Sequence, residues 1–91
     1  MQKQTAHIRV YGIVQRVGFR FTTRMLANKY GLGGWVANLP DGSVEMEATG
    51  TKDELDAFRE AIRSSRVGSG IDRWEEKRRS ASDAPLHFDV R

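Results

Sequence analysis

The sequence predicts a single α+β domain in which two helices cover one face of an antiparallel sheet of four to five strands. Two observations support this fold class. Segments that alternate like strands and segments with helical spacing follow one another in the order β-α-β-β-α-β. A chain of 91 residues, 38% hydrophobic and 30% charged, also suits one compact globular domain with a small core. We therefore take residues 1–91 as one domain.

The first strand and the first helix are predicted from their periods. Residues 5–14 alternate between two faces, and the inward face carries Ala6, Ile8 and Val10. After a segment bounded by Gly12 and Gly18, residues that suit a buried helix face recur at helical spacing. They are Phe19, Thr23, Leu26, Ala27 and Tyr30. We expect this helix to end at Gly31 or Gly33, because glycine adopts the left-handed conformation of a C-terminal cap.

A β-hairpin is predicted in the middle of the chain. Residues 34–38 and 43–48 have the composition of strands, with Trp35 expected in the core. They are joined by a Pro-Asp-Gly turn, in which Pro40 presets φ and Gly42 tolerates a positive φ.

A second helix and two further strands complete the pattern. Thr51 and Glu54 form a predicted capping box at the start of the helix. Its buried face is expected to carry Leu55, Phe58 and Ile62. Ile71 and Trp74 mark a fourth strand, and residues 86–91 form the last one.

This order of elements is the split-βαβ, ferredoxin-like pattern. Both helices are expected on one face of the sheet. The other face, with Arg9 and Glu45, should meet solvent. The fold hosts many unrelated activities, so function must be inferred from a site.

Composition excludes several classes of function. The chain has no cysteine, so disulfides, thiolate metal sites and a cysteine nucleophile are excluded. It has no run of 18 apolar residues, and residues 1–10 do not resemble a signal peptide, so we expect a cytoplasmic protein with no membrane partner. His7 and His87 have no evident third ligand, so no metal site is expected. The net charge of +3 would attract a small anion and is also compatible with weak nucleic-acid binding.

The segment from Gly12 to Arg20 is the candidate binding site. It lies between a predicted strand and a predicted helix, where backbone N–H groups and the positive end of a helix can converge on one anion. Arg20 at the start of the helix can offer a planar fork to two phosphate oxygens. The segment has no Lys-Ser/Thr pair of a nucleotide-binding P-loop, so it does not support binding of nucleoside triphosphates.

Two stretches resemble the signatures of the acylphosphatase family. Residues 10–20 resemble the first signature, and residues 34–50 resemble the second. The resemblance implies hydrolysis of the carboxyl–phosphate bond of acyl phosphates, without a metal or cofactor. It also implies that Arg20 binds the substrate phosphate and that Asn38 positions the attacking water. The phosphate cradle would consist of Gln15, Arg16, Val17, Gly18, Phe19 and Arg20, mainly through their backbone amides.

Arg16 departs from the family pattern, which usually has glycine at this position. If the position requires a positive φ, the side chain costs roughly 1–2 kcal/mol. Its charge could either assist phosphate binding or hinder it. The Gln15 side chain also has two interpretations, as a phosphate contact or as support for its own loop.

Three other functions are kept as alternatives. One is a catalytically impaired relative that only binds anions, and another is a domain that handles carbamoyl phosphate, as in hydrogenase maturation proteins. The third is an RNA-binding module of the RRM type, whose exposed strands need spaced aromatic residues. Glu45 and Glu47 would repel a phosphate backbone there. We expect a monomer that binds acyl phosphates, phosphate or other small anions and does not bind nucleic acid.

Overall fold

The computed structural model describes residues 2–91 and has the predicted order of elements. Strand β1 is Lys3–Gly12, helix α1 is Phe19–Lys29, and strands β2 and β3 are Gly33–Asn38 and Val44–Thr51. Helix α2 is Lys52–Ser64, followed by a short 3₁₀ helix at Arg66–Gly70 and by strands β4, Ile71–Ala81, and β5, Phe88–Val90. The five strands form one sheet in the order β4-β1-β3-β2-β5.

The core lies between the sheet and the two helices, as predicted. The inward faces of β1 and β3 are in register, with Ala6 opposite Ala48, Ile8 opposite Met46 and Val10 opposite Val44. All six of these side chains are buried. Helix α1 contributes Phe19, Thr23 and Ala27 to the core, and α2 contributes Leu55, Phe58 and Ile62. The predicted α+β class and both predicted helix faces are therefore confirmed.

The sheet is mixed rather than wholly antiparallel, because β5 runs parallel to β2. Strand β4 lies at one edge of the sheet. Each neighbouring pair among β4, β1, β3 and β2 is antiparallel, so β4 runs opposite to β2 and finishes at the end of the sheet where β2 begins. Residues 82–87 cross that end of the sheet and leave β5 beside β2 at the opposite edge. The crossing passes so close to β2 that a Cβ on Gly33 would lie 1.9 Å from the carbonyl oxygen of Pro85.

Several predicted strand boundaries were wrong. Strand β1 begins at Lys3 rather than at residue 5, and β3 ends at Thr51 rather than at residue 48. Strand β1 ends at Gly12 rather than at residue 14, because its pairing with β4 shifts between Tyr11 and Gly12. Gly12 has a φ of 128° and touches the backbone of Gly70, so regular pairing stops there. The last strand begins at Phe88 rather than at residue 86. By contrast, α1 ends one residue before Tyr30, and Gly31 has the expected positive φ of 73°.

The open face of the sheet carries polar and charged side chains and one aromatic side chain that was expected in the core. Trp35 lies opposite Glu47, while its neighbours Gly34 and Val36 are buried. The Arg91 guanidinium covers the Trp35 ring at 4.8 Å from its centroid. The alternation of β2 therefore puts Trp35 on the solvent face, where a cation covers its ring.

Candidate functional site

The loop between β1 and α1 is held by a buried side chain at each end. Val14 and Phe19 are both 1% exposed, so the loop cannot shift without disturbing the core. Between them, Arg16 has a φ of 63° and Gly18 a φ of 83°, whereas Val17 has a negative φ. Left-handed residues within such a loop can turn successive N–H groups toward one concave side, where they bind anions.

Helix α1 begins without any side-chain cap. Its N-cap residue, Gly18, makes no side-chain hydrogen bond, and the first turn contains no acidic residue. The Thr22 amide donates to the Gly18 carbonyl oxygen at 3.0 Å and is the first amide of the helix to be bonded in this way. The preceding amides therefore point from the positive end of the helix toward the loop.

A cavity of about 240 Å³ opens at this junction of loop and helix. Its polar lining includes three arginines, Arg16, Arg20 and Arg24, together with Asn38. Its apolar lining includes Val14, Phe21 and Val90. Residues from the loop, α1, β2 and β5 thus meet at one place.

Arg20 is held by the last residue of the chain. It is partly buried, and its Nη1 donates to the main-chain oxygen of Arg91 at 2.7 Å. A guanidinium has five N–H donors, so this single bond orients the side chain and leaves others for an anion. Within residues 2–91 no Asp or Glu side chain forms a salt bridge with Arg20.

Asn38 reaches the same cavity from the end of β2. Its backbone pairs with Val44 in the hairpin, which fixes its position. Its Oδ1 is buried and accepts no hydrogen bond from the described part of the chain. A buried carbonyl oxygen without a donor is costly, so this atom is suited to accept from a water or ligand in the cavity.

Gln15 supports the loop and does not line the cavity. Its Nε2 donates to the carbonyl oxygens of Leu39 at 2.8 Å and Ser43 at 2.9 Å. The loop between β1 and α1 is thereby tied to the turn of the β2–β3 hairpin. The backbone amide of Gln15 stays a candidate donor to phosphate, but the Gln15 side chain is already hydrogen-bonded to these two carbonyl oxygens. The geometry favours the loop-support interpretation of this side chain.

The hairpin turn is itself fixed by Asp41. One carboxylate oxygen accepts from the Ser43 hydroxyl at 2.5 Å and from the Ser43 amide at 2.9 Å, and the other accepts from Arg9 at 2.9 Å. The hydrogen bond from the Ser43 hydroxyl is the main cause that lowers the pKa of Asp41 below its usual value. Asp41 is therefore ionised at neutral pH and serves as a turn anchor outside the cavity.

Sequence reasoning missed Arg24, Phe21, Val90 and the contact from Arg91. Arg24 could have been found, because it lies four residues after Arg20 and hence on the same helix face. The contribution of β5 had no local signal, since Arg20 and Arg91 are 71 residues apart. Only the parallel placement of β5 brings them together.

Neither a metal cluster nor a membrane helix is found in residues 2–91. No three His, Asp or Glu side chains lie close enough to share a metal ion. No helix among these residues is long and apolar enough to span a bilayer.

Comparison with known proteins identifies one family. The family model "Acylphosphatase" matches residues 6–90. The acylphosphatase of Listeria monocytogenes is 49% identical over 63 residues, which is 69% of this chain and 68% of that protein. The acylphosphatase of Chlorobaculum tepidum is 46% identical over 68 residues, or 75% and 71% of the two chains.

Two solved structures resemble this chain over nearly its whole length. The crystal structure of acylphosphatase from Bacillus subtilis superposes with a TM-score of 0.88 at 33% identity and covers 96% of this chain and 97% of its own. The crystal structure of HypF from T. kodakarensis superposes with a TM-score of 0.81 at 33% identity. It covers all of this chain, but the match spans only 12% of that larger protein.

Proposed function

Since this chain belongs to the acylphosphatase family of hydrolases that act on acyl phosphates, we propose that the cavity at the start of α1 is its active site. In this proposal, Arg20 and the amides of residues 15–20 bind the phosphate, and Asn38 positions the attacking water. The observation that carries the proposal is that Arg20 and Asn38, from α1 and β2, line the same cavity as the loop.

Phosphate binding follows from the charges around the cavity. A phosphoryl group carries close to two negative charges at neutral pH. Arg20 can bind two of its oxygens through its fork, and the uncapped amides at the start of α1 can bind a third. These donors are already in place before the substrate arrives, because Val14, Phe19 and Arg91 hold the loop and the guanidinium. They would stabilise the charge of the phosphoryl transition state without reorganisation.

Asn38 supplies the position of the nucleophile. Its unpartnered Oδ1 would accept a hydrogen bond from water and aim the water oxygen at phosphorus. The new P–O bond forms while the bond between phosphorus and the acyl oxygen breaks, and the carboxylate leaves with that electron pair. An amide cannot take the proton at neutral pH. As a hypothesis, we assign the proton to a phosphate oxygen of the substrate. His7 is hydrogen-bonded to Glu45 at 2.8 Å and does not line the cavity, so replacing it should leave turnover unchanged.

The proposal names acyl phosphates as a class and gives the reaction no metal or organic cofactor. Positioning and charge stabilisation account for most of the catalysis of phosphoryl transfer, and the cavity offers both. A cytoplasmic monomer stays a prediction of the sequence.

The alternative is a relative that binds anions and turns them over poorly. One observation favours it. Arg16 occupies a left-handed conformation, with φ at 63°, and its exposed side chain lines the cavity. The backbone strain at Arg16 and the bulk of its side chain both lie where the phosphate would bind.

Hydrolysis of benzoyl phosphate in the presence of EDTA tests the proposal. We expect the parent to be active, and Arg20→Lys and Asn38→Ala to lose on the order of 100- to 1,000-fold in kcat. Inorganic phosphate should still raise the Tm of Asn38→Ala, because that residue holds water rather than phosphate. Arg59→Lys and Asn28→Ala change the same residue types outside the cavity and should behave as the parent.

The outcomes distinguish an active acylphosphatase from a relative that only binds anions. An inactive parent that phosphate still protects against unfolding would identify an anion-binding relative. An inactive parent that phosphate does not protect would refute the site. Activity that EDTA abolishes would refute the metal-free reaction.

A further inference from the structure

Three arginines line one small cavity, which is more positive charge than a single phosphoryl group needs. Arg16, Arg20 and Arg24 all line it, and the cavity lining includes no carboxylate. In the described part of the chain, no Asp or Glu side chain forms a salt bridge with any of the three, although Arg20 donates to the Arg91 main-chain oxygen. Other arginines do find carboxylates, for example Arg78 with Asp56 and Glu76. The cavity thus concentrates positive charge that no acidic side chain neutralises.

The spacing along α1 puts two of these charges next to each other. Arg20 and Arg24 are four residues apart, so they lie on one helix face about 6 Å apart along the axis. Like charges at this spacing repel each other and destabilise a helix. An anion bound between them would relieve this repulsion. The Arg24 guanidinium lies 5.7 Å from the centroid of the Phe21 ring, which directs it along the cavity wall.

The cavity is also larger than a phosphate group. Its volume of about 240 Å³ corresponds to roughly eight waters at about 30 Å³ each, whereas phosphate has five heavy atoms. Phe21 and Val90 form part of the apolar wall of the cavity. An acyl group can therefore lie within the cavity with its carbon skeleton against this wall.

We infer that Arg16 and Arg24 form a second anion subsite that selects acyl phosphates whose acyl group itself carries a negative charge. The inference rests on the proposed function, in which Arg20 binds the reacting phosphate. A carboxylate at the far end of the acyl group would give the substrate about three negative charges, matching the three arginines, and a phosphate there would give closer to four. Phe21 and Val90 would pack against the carbon skeleton between its two charged ends.

Two rigid substrates of the same shape test the subsite. One is 4-carboxybenzoyl phosphate, and the other is 4-carbamoylbenzoyl phosphate, which is neutral at the far end. The measured quantity is the ratio of their kcat/KM values. Using a ratio cancels any loss that affects both substrates, including altered folding or altered binding of the reacting phosphate.

The ratio is expected to be about tenfold lower in Arg24→Gln than in the parent, the size of one charge-assisted hydrogen bond. Arg16→Gln should lower it in the same direction. Lys29→Gln is the matched control, because it removes one positive charge from the same helix outside the cavity. Its ratio should equal that of the parent.

Three other outcomes would refute either the subsite alone or the proposed function together with it. Hydrolysis of both substrates with the same ratio in the parent, Arg24→Gln and Arg16→Gln would refute the subsite and leave the proposed function intact. An equal fall in Lys29→Gln would show a general effect of net charge and would also refute the subsite. Failure of the parent to hydrolyse either substrate would overturn the proposed function, and the subsite with it.

Discussion

The two helices of this protein begin in opposite ways. At the start of α2 the Thr51 hydroxyl accepts from the Glu54 amide at 3.2 Å, and the Glu54 carboxylate accepts from the Thr51 amide at 2.8 Å. Asp53 adds a second negative charge in that first turn. At the start of α1, Gly18 offers no side chain, and the first turn has no acidic residue.

The two helices satisfy their first backbone amides differently. Helix α2 does so with its own side chains, whereas α1 leaves these amides free for a ligand. Every helix has unbonded amides and partial positive charge at its start. In α2 the chain satisfies them itself. In α1 they face a cavity that also holds Arg16 and Arg20, so an external anion can satisfy them. The corresponding third helical positions make the contrast plain, since α2 has Glu54 where α1 has Phe21.

Among the changes that test this comparison of the two helices, giving α1 the acidic residue of α2 should have the largest effect. Phe21→Glu places a carboxylate at the third position of α1, where Phe21 is 61% exposed and can be replaced without opening the core. The added charge should stabilise the helix by about 0.3–1 kcal/mol. It should also repel the substrate phosphate and lower kcat/KM on the order of 10- to 100-fold.

Phe21→Gln is the control, because it has nearly the shape of the glutamate without its charge. The comparison of the two variants by benzoyl phosphate kinetics and thermal unfolding isolates the charge. Equal kcat/KM values in the two variants would show that the substrate phosphate does not bind at the start of α1.

Removing the cap of α2 should affect stability and leave catalysis alone. Thr51→Ala deletes the hydroxyl that accepts from the Glu54 amide, at a cost of about 1 kcal/mol. For a domain of this size, that lowers Tm by about 4–8 °C. Measured well below the transition, kcat and KM should match the parent. Thr51→Ser keeps the acceptor and should recover most of the Tm, whereas a parallel fall in kcat would contradict the division of roles between the helices.

The smallest effect is expected at the left-handed residue before α1. Arg16→Gly should raise the free energy of unfolding by about 0.5–1 kcal/mol relative to Arg16→Ala, because both lose the charge but only glycine adopts a φ of 63° without strain. Denaturant unfolding of the two variants measures this difference. If alanine proved as stable as glycine, backbone strain at residue 16 would be negligible, and the effect of Arg16 on the site would come from its side chain alone.

Local patterns predicted most of the fold and two residues that line the cavity, Arg20 and Asn38. The alternation of β1, the spacing of Leu55, Phe58 and Ile62, and the capping box each depend on neighbours within a few residues, so they can be read from sequence. Arg20 and Asn38 were found because each lies within a recognisable stretch. Trp35 was misplaced because an aromatic residue next to buried residues reveals its face only once the strand register is known.

The sequence alone determined the order of elements, the two helix faces, the turn at Pro40–Gly42 and a candidate anion loop before α1. These features arise from short-range backbone preferences and from the period of apolar residues. Only the tertiary structure decided that β5 runs parallel to β2, that Arg91 orients Arg20, and that Arg24 joins the same cavity. Those contacts join residues far apart in the chain, and their geometry depends on how the whole sheet packs against the helices.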